Sequence, residues 1–390
     1  MKRIAFVAPW YGDNIPGGAE AALRGITDHL FAAGMDIEIL TTTVEKFTAD
    51  WNKDFYKPGS YTSKNGIPIR RFKIRKRNTA AFDAVNAKLI QKSGLTLEEE
   101  NTFHKEMINS PDLYDYIREN RAQYSCFVFI PYMFGTTYWG VQACPGQAVL
   151  IPCFHDESYA HMKTFRTVNA QPEQDLTEHL CDTSRMKTEV MGLGMDTKLT
   201  YDADRFRKKY NINDPFILYA GRKDKGKNID TLVQYFKRYK QNEQDNLKLV
   251  LIGGGELEIP TEIKNDVYDL GFVDLQDKYD AYGAATLLCQ PSKNESFSFV
   301  IMESWLCRRP VLVHEGCAVT KNFVSCCNGG LYFGNYYDFQ ETVKYILNHP
   351  DIADIMAKNG HDYVCDNFAW DIMVEKYKRF FKELEEQHAK

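Results

Sequence analysis

The chain of 390 residues is too long for one ordinary core and is expected to form two domains. Its composition, 44% hydrophobic and 26% charged, is that of a soluble globular protein, and a formal net charge of −5 gives no global argument for nucleic-acid binding. No apolar run approaches the ~20 residues that span a bilayer.

Met1-Lys2-Arg3 followed by Ile4–Pro9 has the outline of a signal peptide, but Trp10-Tyr11-Gly12-Asp13 ends the apolar stretch too soon, so a first buried strand is expected there. Ala19–Gly34 has helical periodicity, with Ala22, Ile26, His29, Leu30 and Ala33 on one side. Ile37–Thr42, an alternating segment over 66–77, Cys126–Pro131 and Ala148–Cys153 read as further strands, with a polar helical excursion over 80–123. Strands alternating with helices indicate βαβ units and a parallel sheet. The stretch 196–209 is polar and reads as the connection to a second α/β series. That series has strands at Phe216–Ala220, Leu247–Ile252, Thr286–Gln290 and Val311–Val313, a helix from about Asn228, and a terminal amphipathic helix over Trp370–Leu384. Ten cysteines include no Cys-x-x-Cys pair. They read as reduced, mostly buried thiols of a cytosolic protein.

Several loops carry residues suited to chemistry. Gly17-Gly18-Ala19-Glu20 follows the first strand and opens a helix, where glycines let backbone N–H groups approach an anion; a plain turn is the alternative. Gly221-Arg222, then Lys227, follows Phe216–Ala220. An Arg fork plus a Lys point charge suits a diphosphate, whereas Lys223 and Lys225 beside them suggest a solvated basic loop. Gly253-Gly254-Gly255 permits close backbone approach by a nucleotide or makes a tight turn. In Asn294–Glu303 two carboxylates, Glu295 and Glu303, span a strand-to-helix junction. With a helix starting near Phe297, N–H groups of Ser296, Phe297, Ser298 and Phe299 would face an anion, Glu295 would accept from sugar hydroxyls and Glu303 from a ribose diol. The bland alternative is an acidic residue favoured by the helix dipole plus a surface glutamate.

His155-Asp156-Glu157 follows a buried strand, where a histidine can bond a substrate or serve structure. Asp202-Ala203-Asp204 follows no strand and reads as chance rather than a metal pair. Arg70–Arg77 carries six positive charges in eight residues and suits either an anionic membrane or acceptor, or an edge strand blunted by charge.

Together these residues resemble glycosyltransferase family 4, a retaining GT-B family. The resemblance runs through Gly17-Gly18-Ala19-Glu20, His155, Gly221-Arg222 with Lys227, and Glu295/Glu303. It continues through Arg309–Val313, Asn328-Gly329-Gly330-Leu331 and Asn367-Phe368-Ala369-Trp370. Among its members the chain is similar to bacterial polysaccharide and lipopolysaccharide transferases. The resemblance implies two Rossmann-like domains with parallel sheets facing an interdomain cleft: 1–195 with a returning helix over 368–390, and a donor-binding domain over 196–367. It implies that Arg222 and Lys227 bind the diphosphate of a UDP-, GDP-, ADP- or TDP-sugar, that Glu295 meets the sugar and Glu303 the ribose, and that Gly18 lies against the phosphates. His155 would stand near the transferred sugar or acceptor, and the backbone of Phe272-Val273 would pair with the base. It implies a glycan or lipid-linked acceptor, retention of configuration, no cofactor and no metal. The reduced thiols point to a cytoplasmic enzyme, and the charge of Arg70–Arg77, unless it only blunts an edge strand, to one that docks peripherally on the inner face of the plasma membrane.

The chain departs from the family's pattern in two places. Only Arg166-Thr167-Val168 separate Phe165 from Asn169, where members have a longer stretch with a further strand, and Ser298 stands where many have glycine. A nucleotide-sugar epimerase and a non-catalytic sugar-binding subunit are the rival readings. A nicotinamide oxidoreductase lacks its Gly-x-Gly-x-x-Gly fingerprint here.

Overall fold

The computed structural model describes residues 2–15, 17–153, 157–164 and 189–388. His155 and the short Phe165–Asn169 segment lie outside them. The chain divides into two compact units, Met1–Gly194 with Met373–Lys390, and Met195–Ile372.

The first unit holds β1 (Arg3–Ala8), β2 (Ile37–Thr42), β3 (Gly59–Thr62), β4 (Pro68–Phe72), β5 (Tyr124–Phe129) and β6 (Ala148–Leu150), in the order β3-β4-β2-β1-β5-β6. All pairs are parallel except β3 with β4. β2 and β5 are buried at every position, as strands covered on both faces must be. The helices are α1 (Gly18–Ala32), α2 (Thr79–Ile90), α3 (Leu97–Glu106), α4 (Pro111–Asn120) and α5 (Gly135–Ala143). The excursion over 80–123 is thus three helices, the second opened by a Thr96/Glu99 capping box. The chain's last helix, Trp370–His388, closes this unit with Met373, Tyr377 and Phe381 buried along one stripe. Its far end is held by the Lys2 backbone N–H, which donates to Glu385 at 3.1 Å, and by an Arg379–Glu189 ion pair at 2.7 Å.

The second unit contains β7 (Phe216–Ala220), β8 (Lys248–Ile252), β9 (Val267–Gly271), β10 (Leu287–Gln290), β11 (Val311–His314) and β12 (Gly330–Phe333). They form a parallel sheet in the order β12-β11-β10-β7-β8-β9. Its helices are α6 (Ala203–Tyr210), α7 (Ile229–Asn242), α8 (Leu275–Ala284), α9 (Phe299–Leu306), α10 (Ala318–Cys327), α11 (Tyr336–Asn348) and α12 (Pro350–Phe368). α7 buries Ile229, Leu232, Val233 and Phe236, the i, i+3, i+4, i+7 stripe of a core-facing helix. The polar stretch 196–209 is not merely a connection. It contains most of α6, whose one buried residue is Phe206. Asp202 caps that helix, accepting from the backbone of Asp204 and Arg205, which gives the Asp-x-Asp a structural explanation.

α9 is fixed from behind by Trp305, fully buried, whose indole N–H donates to Gly329 O at 2.8 Å. Gly360 of α12 lies so close that a Cβ there would fall 2.2 Å from the Trp305 ring. Alanine in a helix is favoured over glycine by about 1 kcal/mol, but a buried indole cannot give way, and overpacking costs about 1–3 kcal/mol. Gly360→Ala should therefore lower the melting temperature of this unit, at roughly 2–4 °C per kcal/mol. An unchanged or higher melting temperature would show that α9 and α12 can separate freely.

Candidate active site

The chain runs β7-β8-β9 toward one side of the second sheet and then β10-β11-β12 toward the other. β7 and β10 are neighbours, so their carboxyl ends flank the topological switch point, where open α/β sheets bind ligands. The loops after β7, β8, β9 and β10 carry Gly221 to Lys227, Gly253 to Gly255, Phe272-Val273 and Glu295 to Phe299 respectively, all at this edge.

The glycines are needed for the loops to pack on one another. Gly253 has φ +126°, and a Cβ on it would sit 2.0 Å from Gly221 O. A Cβ on Gly254 would lie 2.4 Å from the ring of Phe272, itself 83% exposed at the rim. The Lys223 backbone N–H donates to Gly254 O at 2.7 Å, tying the two loops together.

The cations of the β7 loop have separate fates. Lys223 is buried and paired with Asp269 at 2.5 Å, so this is not a uniformly solvated basic loop. Arg222 is exposed, 3.5 Å from Asp224. Asp224 also accepts from the backbone of Lys227 at 3.1 Å and so shapes the turn that presents it. Lys227 Nζ reaches across to Glu295 Oε1 at 2.7 Å, and Gln290 Nε2 donates to the same oxygen at 3.1 Å. Asn228, in the left-handed region, donates from its amide to Pro291 O at 2.9 Å and pins the β7 loop to the β10 loop. Residues 68 positions apart in sequence thus meet at the switch point.

α9 begins at Phe299, two residues later than expected from Phe297, because Phe297 packs among Phe299, Phe323 and Phe368 with centroids 5.3–5.7 Å away. Ser298 stands at the N-cap position at φ 76°, ψ 78°, a conformation that glycine adopts without strain, and its side chain makes no capping bond. Its hydroxyl and Gln290 Oε1 are both buried without a hydrogen-bond partner among the described residues. Two orphaned polar atoms next to a helix N-terminus and the Lys227–Glu295 pair fit a polar ligand bound there. Ser298→Gly should relieve strain and an unsatisfied hydroxyl, stabilising the free protein by about 1 kcal/mol. If that hydroxyl contacts phosphate, diphosphate affinity should fall at the same time, and thermal melts with and without nucleotide check both signs.

Glu303, one turn into α9, is buried and accepts from Lys278 Nζ at 2.7 Å and Tyr282 Oη at 3.0 Å, one to each oxygen. Burial and the neighbouring Glu303 carboxylate push the Tyr282 phenol well up, which keeps it a donor. Lys278, Tyr282, Gln290 and Asp269 were not singled out from the sequence. Gln290 closes a strand at the ligand-binding edge, the one signal that pointed to it.

In the first unit, Gly17 (φ 141°) precedes α1, and a Cβ there would meet the Glu20 carboxylate, which accepts from Trp10 Nε1 at 2.8 Å. Gly18 is open on its Cβ side. The run Arg70–Arg77 is neither an edge strand nor a free cationic stripe. β4 lies inside the sheet, covered by β3. Arg71 is buried, donating to Tyr11 O at 2.8 Å and stacked 3.8 Å over Tyr56. Arg70 pairs with Glu38 and Arg75 with Glu106, Lys76 donates to Asn52 O, and Arg77 stacks on Trp51 and Phe82. All nine cysteines among the described residues are unbridged, and five are buried. Among the described residues no helix is long and apolar enough to cross a membrane.

Two Rossmann-like units, each a six-stranded sheet dominated by parallel pairs, define the GT-B class of glycosyltransferase fold. Residues 202–363, the segment that carries Arg222, Lys227, Glu295 and Glu303, match the family Glycosyl transferases group 1. Over nearly its whole length the chain is similar to an uncharacterized glycosyltransferase of Methanocaldococcus jannaschii, 20% identical and covering 97% of this chain and 98% of that one. A D-inositol 3-phosphate glycosyltransferase of Gordonia bronchialis is 25% identical over 42% of this chain and 39% of its own. Among solved structures, sucrose-phosphate synthase of Thermosynechococcus elongatus superposes with a TM-score of 0.71 at 17% identity, covering 98% and 99% of the two chains. HepE of Anabaena, in complex with UDP-glucose, superposes at 0.66 with 15% identity, covering 98% and 100%.

Proposed function

We propose that the chain is a retaining, metal-independent transferase that moves a hexose-like sugar from a nucleoside diphosphate to an acceptor hydroxyl. The observation that carries this reading is the Lys227–Glu295 pair beside the orphaned Ser298 and Gln290 atoms at the switch point. The UDP and UDP-glucose complexes of similarly folded HepE support a nucleotide-sugar donor. As the anomeric C–O bond to the diphosphate breaks, negative charge builds on the leaving oxygen. Arg222, Lys227 and the first amides of α9 would stabilise it, usually the largest electrostatic contribution in such a site. The acceptor oxygen bonds to the anomeric carbon and its proton passes to the leaving diphosphate, so no protein base is needed. Glu295 orients the sugar, Glu303 the ribose, and the Phe272-Val273 rim the base. The acceptor contributes only its hydroxyl to this chemistry. Any association with anionic membrane through 70–77 would depend on the exposed Lys73 and Lys76, since the arginines are engaged within the fold.

The test is product analysis with chelation. With a donor in hand, transfer should continue in EDTA, because side-chain cations supply the charge stabilisation a divalent metal gives elsewhere. NMR of the first product should show the donor's anomeric configuration. Loss of transfer on chelation, restored by manganese or magnesium, or an inverted product, would overturn the corresponding part.

A further inference from the structure

The first unit contains a cavity of about 410 Å3 at the carboxyl ends of β1 and β5, the ligand-binding edge of its sheet. That volume lies within the roughly 300–1,000 Å3 typical of small-molecule sites. Its walls are aromatic: Trp10, Phe47, Trp51, Phe82, Phe134 and Tyr159 all face it. They brace one another, with Trp10 4.9 Å from Phe134 and 6.2 Å from Trp51 between centroids, and Arg77 stacks on Trp51 and Phe82. Such rigid rings offer flat apolar faces to another ring.

The polar side chains are few, two carboxylates and one amide among them. Glu20, Asn86 and Glu157 line the cavity, and each holds an acceptor oxygen already fixed by a donor at 2.7–2.8 Å: Trp10 Nε1, Tyr159 Oη and Tyr132 Oη respectively. Among the described residues lining it there is no Lys, Arg or His. The site therefore favours a ligand that donates a hydrogen bond and carries no negative charge. A phosphorylated or carboxylated molecule would meet two carboxylates and, among the described residues, no cation. A bare hexose would leave most of its hydroxyls unpaired against aromatic walls, at a cost for each.

We infer that this cavity holds the apolar body of a neutral ring alcohol, alicyclic or aromatic, whose hydroxyl accepts the transferred sugar. The inference rests on the transferase reading for its second half, while the binding itself does not.

Trp10 and Trp51 report occupancy through their emission. The intact protein, without donor, is titrated with 4-cyclohexylcyclohexanol, methyl glucoside, inositol phosphate and decanol. The ring alcohol should give a saturable change at a dissociation constant at least about tenfold below the other three. Phe47→Ala, at a 58% exposed position where folding is not at risk, should weaken it by roughly two- to tenfold. No saturable change, equal or tighter binding of the glucoside, the phosphate or decanol, or indifference to Phe47→Ala would overturn the inference. Nucleoside diphosphate binding, measured separately, tests the transferase reading, so the two failures are distinguishable.

Discussion

Glu295→Gln should reduce sugar transfer by roughly ten- to a hundredfold while the protein remains folded. The loss of a charge-assisted hydrogen bond in the transition state costs about 1.5–3 kcal/mol. Glu295 lies in the loop between β10 and α9 and touches the rest of the protein through Lys227 and Gln290, so no core contact is lost. Glutamine keeps the shape and an acceptor oxygen but withdraws the negative charge. The effect should fall on kcat, with the donor dissociation constant and melting temperature close to those of the parent. Near-normal turnover in a folded mutant would remove Glu295 from the site.

Arg222→Ala and Lys227→Ala should each weaken nucleoside diphosphate binding by about tenfold or more, leaving nucleoside binding nearly unchanged. Only the diphosphate needs the two cations. The two variants should differ in stability. Arg222 is exposed, so its removal should leave the melting temperature alone, whereas removing Lys227 leaves the nearly buried Glu295 carboxylate without its ion-pair partner and should lower it. Equal losses for nucleoside and nucleoside diphosphate would make the loop structural.

What could be read from the sequence follows from how far each interaction reaches along the chain. Ile37–Thr42 and Phe216–Ala220 are fully buried strands, and their unbroken apolar runs announce them. β3 is exposed at all four residues and leaves no apolar signal, and α6 buries only Phe206, so its polarity resembles a linker. The onset of α9 shifted because Phe297 is drawn into an aromatic cluster with Phe323 and Phe368, which local pattern cannot show. The six cations of 70–77 looked like a patch because the arginines' partners Glu38, Tyr56, Trp51 and Glu106 lie 15 to 32 residues away. In the same way Glu295, Arg222 and Lys227 stand out in linear motifs. Lys278, Tyr282 and Gln290 are ordinary helix and strand residues until the fold brings them to a carboxylate.

The most direct test of a nucleotide-sugar site is the melting temperature of the protein against UDP, GDP, ADP and TDP, the matching nucleosides, and the sugar derivatives of each. A ligand that binds only the folded state stabilises it by about 2.7 kcal/mol at a hundred times its dissociation constant. One diphosphate and its sugar derivative should raise the melting temperature by several degrees, the matching nucleoside by much less, and Lys227→Ala should erase the difference. No shift with any nucleoside diphosphate or nucleotide sugar, or an equal shift with the nucleoside, would contradict the account.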